Sequence, residues 1–192
     1  MAVSLRVATF NIRNSSAPDG QYAWPMRRYV TVAAINALDA DVIGLQEVLP
    51  DQLAFLRSAF RSYRVLGVGR DRSGTGEHST VLVRPGAWTV ESEETRWLSD
   101  EPDRAWVLLG DLNNVPGSPP LTALLEAGWQ DPLPEASGGT WHDFTGATDR
   151  DRIDHILHGP DWTADRAWVS FDRPGGLLPS DHWPVAADLR LD

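Results

Sequence analysis

The chain has 192 residues, 42% hydrophobic and 23% charged, ordinary proportions for a globular protein, and residues 1–192 are read as a single domain with a substantial core. It contains no cysteine, which excludes disulfides, thiolate metal sites and thiol catalysis. Its formal net charge of −10 weighs against tight sequence-independent nucleic-acid binding, which leaves a basic footprint, unless acidic groups are gathered in a metal site and neutralised there.

No apolar run approaches the ~20 residues that span a bilayer. The opening MAVSLRVATFNIR lacks the long apolar core and small-residue cleavage site of a secretory leader. The expectation is a cytoplasmic protein with no membrane contact. Nine Trp is a high count, so several are expected in the core or along a pocket.

In chain order, Leu5 to Phe10 is a β-rich run that ends at Asn11. Pro18-Asp19-Gly20 is a turn. Val30, Ala33, Ala34 and Leu38 have helical spacing, which predicts a helix from Met26 to Leu38 with Arg27 and Arg28 at its start. Asp41 to Leu45 is a buried-type strand running into Gln46-Glu47, and Leu49-Pro50 opens a second helix through Phe60. Tyr63 to Val68 and Ser79 to Val83 read as strands around a polar loop, Arg70 to Gly76, and Trp88 to Trp97 as a further strand. Trp106 to Leu109 is a strand stopping at Gly110-Asp111. Ser118-Pro119-Pro120 starts a helix to Glu126, ended by Gly128. Ile153 to Leu157 and Val185 to Leu191 are the last strands. The order implies an α/β or α+β layered domain.

Three strands end in carboxylates or carboxamides: Asn11, Glu47, and Asp111 with Asn113. Strand ends are where layered α/β proteins collect ligand groups. Asp111 and Asn113, two apart on an extended chain, can point the same way and hold a water and a phosphoryl oxygen, or can simply form an Asx turn. Glu47 is either a helix-start carboxylate or a ligand for a hard cation, which prefers oxygen. Asp181-His182 is either a surface turn or an acid–base pair, with Asp154 able to orient the imidazole.

Taken in order, TFNIR, GLQEV, GDLNN, RIDHI and SDHWPV resemble the motifs of the endonuclease/exonuclease/phosphatase family, over residues 7 to 186. The intervening DGQYAWPMRR, VGRDRSGTGEHSTVLVR, TRWLSDEP and GGTWHDFTG are similar to a bacterial branch of mostly unassigned hydrolases in it. The resemblance implies a four-layer α/β sandwich: two packed β-sheets flanked by helices, deoxyribonuclease-like. It implies hydrolysis of phosphate esters with Mg²⁺ or Mn²⁺. Glu47 would be the principal metal ligand, with Asp181 and Asn11 beside it. Asp111 would position or deprotonate the attacking water, Asn113 and His182 would contact the phosphate, and Asp154 would orient His182. Arg13, Glu77, His142 and Trp97 would lie on the substrate side. His155 and His158 would be structural or solvent-facing. The acidic charge favours a phosphorylated small molecule over nucleic acid. A nuclease, or a family member that binds metal or ligand without turnover, are the alternatives.

Family members carry two more strands and a helix, with a further His, before the GDLNN strand. Here WLSDEPDR leads straight into it, and no His lies between His78 and His142. The resemblance therefore implies a deletion in the middle, centred on Ser99 to Trp106. A strand exposed by that deletion would favour a homodimer that covers the open edge.

Overall fold

The computed structural model describes residues 3–71, 76–86, 88–93 and 106–191. The chain runs β1 (Val3–Asn11), α1 (Trp24–Leu38), β2 (Val42–Val48), α2 (Pro50–Ala59), β3 (Arg64–Leu66), β4 (His78–Val83), β5 (Val107–Asp111), α3 (Pro119–Glu126), β6 (Asp154–His158), β7 (Trp162–Val169) and β8 (Val185–Leu191). Six strands pair in the order β3-β4-β2-β1-β8-β7, and β5 and β6 form a separate two-stranded sheet. Among the described residues only β1 and β2 run parallel; the other strand pairings are antiparallel.

Alternation along the strands divides the core in two. Ala8, Phe10 and Ile12 from β1 and the residue after it, with Ile43 and Leu45 from β2, pack against Ile35 and Leu38 of α1 and Leu53 and Leu56 of α2. The opposite face sends Val7 from β1 and Val185, Ala187 and Leu189 from β8 against Ile156 of β6, with Val107 and Leu109 of β5 alongside. Helices therefore cover one face of the larger sheet and the smaller sheet covers the other. This is the expected α/β sandwich of two packed sheets, and no described helix is long and apolar enough to cross a membrane. Trp24, Trp162 and Trp183 are buried, as the Trp count suggested.

Contact between the sheets is close. A Cβ added at Gly44 of β2 would lie 2.0 Å from Leu109 Cδ1, so only glycine admits β5 at that distance. Among the described residues β5 pairs with β6 alone.

Two sequence expectations need correcting. Residues 88–93 form no strand, because Trp88 and its neighbours have no pairing partner among the described residues; Glu94 to Trp97 lie outside them. The strand β7 was not anticipated. Its exposed Asp165 and Arg166 interrupt the apolar alternation, at a shift in register against β8. Of the inferred deletion junction, Ser99 to Ala105 lie outside the described residues; Trp106 beside them is 46% exposed.

Candidate active site

The site forms where β1, β2, β5 and β6 end together. On β1, Val7, Thr9 and Asn11 share the face toward the small sheet, because successive side chains alternate. Asn11, 1% exposed, is thereby delivered to the seam between the sheets. On β5, Asp111 shares the face of Val107 and Leu109. Asp154 of β6 is its register partner, Asp111↔Asp154. Two carboxylates directly opposite in an antiparallel pair repel one another. Burial, and then the neighbouring Asp154 charge, raise the pKa of Asp111 above the ordinary carboxylate value.

Glu47 reaches the site by another route. Simple alternation would send it with Ile43 and Leu45 onto the helical face. A shift in register between Leu45 and Val48 marks a bulge against β4, and Glu47 has φ 61. Bulges of this kind re-aim side chains. Arg13 (φ 55) and Asn113 (φ 51) are also left-handed. Such conformations are costly for non-glycine residues and cluster at functional sites.

Hydrogen bonds knit these groups together. Asn11 Nδ2 donates to Glu47 Oε1 at 2.9 Å and to Asp111 Oδ2 at 3.0 Å. The Arg13 N–H donates to Asn11 Oδ1 at 2.9 Å, and the Asn113 N–H to Asp111 Oδ1 at 2.9 Å. Asn14 gives Glu47 Oε2 both its main-chain N–H (3.0 Å) and its amide (2.9 Å). Burial alone would raise the Glu47 pKa, but the bonds from Asn11 and Asn14, with Arg13 nearby, hold it below the ordinary value. Glu47 is therefore ionised.

Behind Asp111 stands the acid–base pair. His182 Nδ1 and Asp154 Oδ2 are 2.8 Å apart, and both residues are buried. Burial opposes charging His182, yet Asp154, Asp181 and Asp111 outweigh it and bring its pKa up to about 9. Thr140 Oγ1 accepts the Asp154 N–H at 3.0 Å, fixing the strand end. Asp181 is buried and its pKa is raised by that burial. Ser180 Oγ and the Arg13 guanidinium (3.5 Å) lie against its carboxylate.

A cavity of about 410 Å³ opens onto this seam, walled by Asn11, Arg13, Glu47, Glu77, Asp111 and Asn113 among others. Asp154, Asp181 and His182 do not line it; Asp111 joins Asp154 and His182 to it, and Arg13 joins Asp181. Ligating atoms of Asp111, Asp154 and His182 lie within 4.8 Å of one another. His142 is buried instead, its ring packed at a tilt against Trp183, centroids 4.3 Å apart, with Nδ1 accepting the Gly146 N–H. Burial pushes its pKa down to about 4. Trp97 lies outside the described residues. His155 and His158 are buried, and His155 Nε2 meets Asn114 O at 2.8 Å.

Sequence reasoning missed three contributors. Asn14 directly follows the TFNIR run and could have been read as its continuation. Gln52 ties the loop after β1 to α2, taking the Ser15 and Leu49 N–H groups at 3.0 Å each and donating to Arg13 O. Arg27, noticed only as a helix-start charge, is 3% exposed and donates to Ile12 O, Arg13 O and Pro179 O. It thus joins the loop after β1 to the segment entering Ser180–His182.

The donor set fits a hard divalent cation. Glu47 and Asp111 have no cationic side-chain partner among the described residues, and Asp154 Oδ1 is buried without a hydrogen bond. Oxygen-rich, net-negative clusters of this kind suit Mg²⁺ or Mn²⁺.

The sequence model described as "Endonuclease/Exonuclease/phosphatase family" matches residues 8–182. No curated protein matches the chain. Among solved structures it is similar to a protein of that family from Bacteroides thetaiotaomicron, at 24% identity and TM-score 0.87, over 100% of this chain and 99% of that one. A Bacteroides vulgatus protein gives 25% and 0.85, over 98% and 99%. A mannosyl-6-phosphatase from Bacteroides thetaiotaomicron gives 22% and 0.83, over 96% and 99%.

Proposed function

Because this chain belongs to the endonuclease/exonuclease/phosphatase family, a family of divalent-metal-dependent enzymes, we propose that it hydrolyses phosphate esters. The cation would be Mg²⁺ or Mn²⁺ and the substrate a phosphorylated small molecule rather than nucleic acid. The observation that carries the reading is the Asp111–Asp154 pair, facing each other across β5 and β6, with Asn11 bridging Asp111 to Glu47 and His182 held on Asp154.

Glu47 is the principal metal ligand, with Asn11 beside it and Asp181 adding negative charge. His182, with Nδ1 held on Asp154 Oδ2, is read as a phosphate contact rather than a metal ligand. A bound divalent cation would supply Lewis-acid polarisation of the phosphoryl oxygen. Asp111 positions the attacking water and accepts its proton. Asn113 holds a phosphoryl oxygen. His182, as an imidazolium oriented by Asp154, stabilises negative charge developing on the phosphoryl group. Attack is in line on phosphorus, with no covalent enzyme intermediate.

The test is phosphate release from a panel of phosphomonoesters and phosphodiesters with Mg²⁺ or Mn²⁺. Asp111→Asn should lower turnover by roughly 10²–10⁴, the usual weight of acid–base help. Glu47→Gln should weaken Mn²⁺ binding measured by calorimetry while leaving the fold intact. Equal Mn²⁺ affinity in that variant would remove Glu47 from the metal site. Metal binding without turnover on any ester would make the chain a non-hydrolytic binder. A steep salt-dependent affinity for DNA or RNA would make it a nuclease instead.

A further inference from the structure

The outer wall of the cavity is built by the neck of the hairpin that leads into β4, and the mechanism above does not use it. There the Arg70 N–H donates to Glu77 O at 3.0 Å, and the Arg70 guanidinium donates to Glu77 Oε2 at 2.7 Å. Gly69 and His78 bridge, and His78 pairs with Val48 immediately beyond the Glu47 bulge. Arg70, Glu77, His78 and Ser79 all line the same cavity as Glu47 and Asp111. The exposed Arg70 guanidinium thus orients the half-buried Glu77 carboxylate along the cavity wall. His78 Nδ1 is shielded from solvent and has no hydrogen-bond partner among the described residues.

The composition of this wall is unusual. Small-molecule sites of roughly 300–1,000 Å³ are lined mainly by hydrophobic and aromatic side chains. This cavity, at about 410 Å³, has no Phe, Tyr or Trp ring and no aliphatic side chain among its described lining residues. A nucleobase is held largely by stacking on large aromatic faces, worth about 1–3 kcal/mol per base. The described lining offers no Phe, Tyr or Trp, only the imidazole of His78 and the Arg13 and Arg70 guanidinium groups, which hydrogen bonds with hydroxyls suit as well. A lipid chain or an aryl group would leave polar groups unpaired against an apolar surface. A ligand portion dense in hydroxyl groups can satisfy a carboxylate, a guanidinium, an imidazole and a serine hydroxyl together, because each hydroxyl both donates and accepts.

We propose that Arg70, Glu77, His78 and Ser79 form the subsite for the ester's alcohol portion, and that this portion is a sugar or polyol. The inference rests on the phosphoesterase reading for the position of the phosphate, at the Glu47–Asp111 end of the cavity. Glu77 accepts from the hydroxyls, His78 supplies a further polar contact, and Arg70 orients Glu77. Arg70 is thus a positioning residue, and Glu77 and His78 determine specificity.

The test compares binding, by calorimetry in the presence of Mn²⁺, of three hydrolysis-resistant ligands: methylphosphonate, the phosphonate isostere of glucose 6-phosphate, and the phosphonate isostere of thymidine 5′-phosphate. In the unmodified protein the sugar phosphonate should bind at least about tenfold tighter than methylphosphonate, equivalent to one or two net hydrogen bonds. It should also exceed the thymidine ligand. Glu77→Gln and His78→Ala should each bring the sugar-to-methyl ratio down toward one. Circular dichroism confirms that both variants are folded. A ratio near one in the unmodified protein, an unchanged ratio in both variants, or thymidine binding as tight as the sugar's would each overturn the proposal. The phosphate-site reading fails separately, when methylphosphonate itself shows no metal-dependent binding. Sugar-selective binding without turnover of glucose 6-phosphate or any other ester would remove the hydrolase reading and leave the subsite standing.

Discussion

Replacing Arg27 by Met removes a guanidinium that is 3% exposed and donates to four main-chain carbonyls: Ile12 at 2.5 Å, Arg13 at 2.7 Å, Tyr22 at 2.9 Å and Pro179 at 3.3 Å. No carboxylate forms an ion pair with it among the described residues; its direct hydrogen bonds go to peptide oxygens, and its guanidinium lies over the Trp24 and Phe144 rings. The three shorter bonds are charge-assisted, at about 1.5–3 kcal/mol each, so losing them costs about 4.5–9 kcal/mol. Against this, burial has pulled the Arg27 pKa down to about 10, a cost of about 3 kcal/mol that the apolar variant no longer bears. The difference is about 1.5–6 kcal/mol, with a central expectation of about 3, a large share of a typical domain stability of ~5–15 kcal/mol. Urea denaturation reads this as a lower midpoint at unchanged slope. Arg27→Lys keeps the charge but lacks the planar fork, so it should recover less than half of the loss. A shift below about 0.5 kcal/mol for Arg27→Met, the range of an ordinary surface substitution, would refute the idea that Arg27 clamps the loop after β1 to the segment entering Ser180.

Gly44→Ala should destabilise by about 1–3 kcal/mol, because its Cβ would meet Leu109 Cδ1 at 2.0 Å and the packed Leu109 side chain must leave its place or the two sheets must part; a melting temperature within a degree of the parent would show that the seam yields freely. His142 is held neutral down to about pH 4, whereas an exposed imidazole titrates near ~6.5. As pH falls, the unfolded chain takes up this proton first. The contribution is intact above about 6.5, is lost progressively between 6.5 and 4, and amounts to at most about 3 kcal/mol. His142→Gln should lack that part of the slope in urea titrations at pH 7, 5.5 and 4.5, and parallel slopes in the two proteins would count against it.

The fold was legible where periodicity was simple. The helical spacing of Val30, Ala34 and Leu38 anticipated α1, which starts two residues earlier, at Trp24, with Pro25 in the first turn. The strands ending at Asn11 and Asp111 were also legible, because an apolar run stopping at a carboxamide or carboxylate is a local pattern. The strand β7 was not, since its stability comes from pairing with β8 across a register shift rather than from its own alternation. The described part of the strand expected from Trp88 to Trp97 shows the converse: residues 88–93 alternate roughly but form no strand without a neighbour to pair with among the described residues.

The site shows the same division between local pattern and long-range geometry. From its place after an apolar strand Glu47 could be read as a helix-start carboxylate or as a cation ligand, and only the ordered set of motifs favoured the second. That it faces the seam could not be read, because alternation assigns it to the helical face and only the bulge against β4, with φ 61, reverses that. The Asp111–Asp154 opposition depends on the register of two strands 43 positions apart in the chain, set by the hairpin-like pairing of β5 with β6 and the bonds from Thr140. A one-residue slip would send one carboxylate to the opposite face. The like-charge pair is tolerable there because Asn11 and the Asn113 N–H donate to Asp111 while His182 neutralises Asp154. Glu47, by contrast, has amide donors and only the more distant Arg13 charge, with no ion pair among the described residues. The imbalance in charge therefore lies on the cavity side of the seam, at Glu47 and Asp111, and a divalent cation there would offset it without displacing the imidazolium from Asp154.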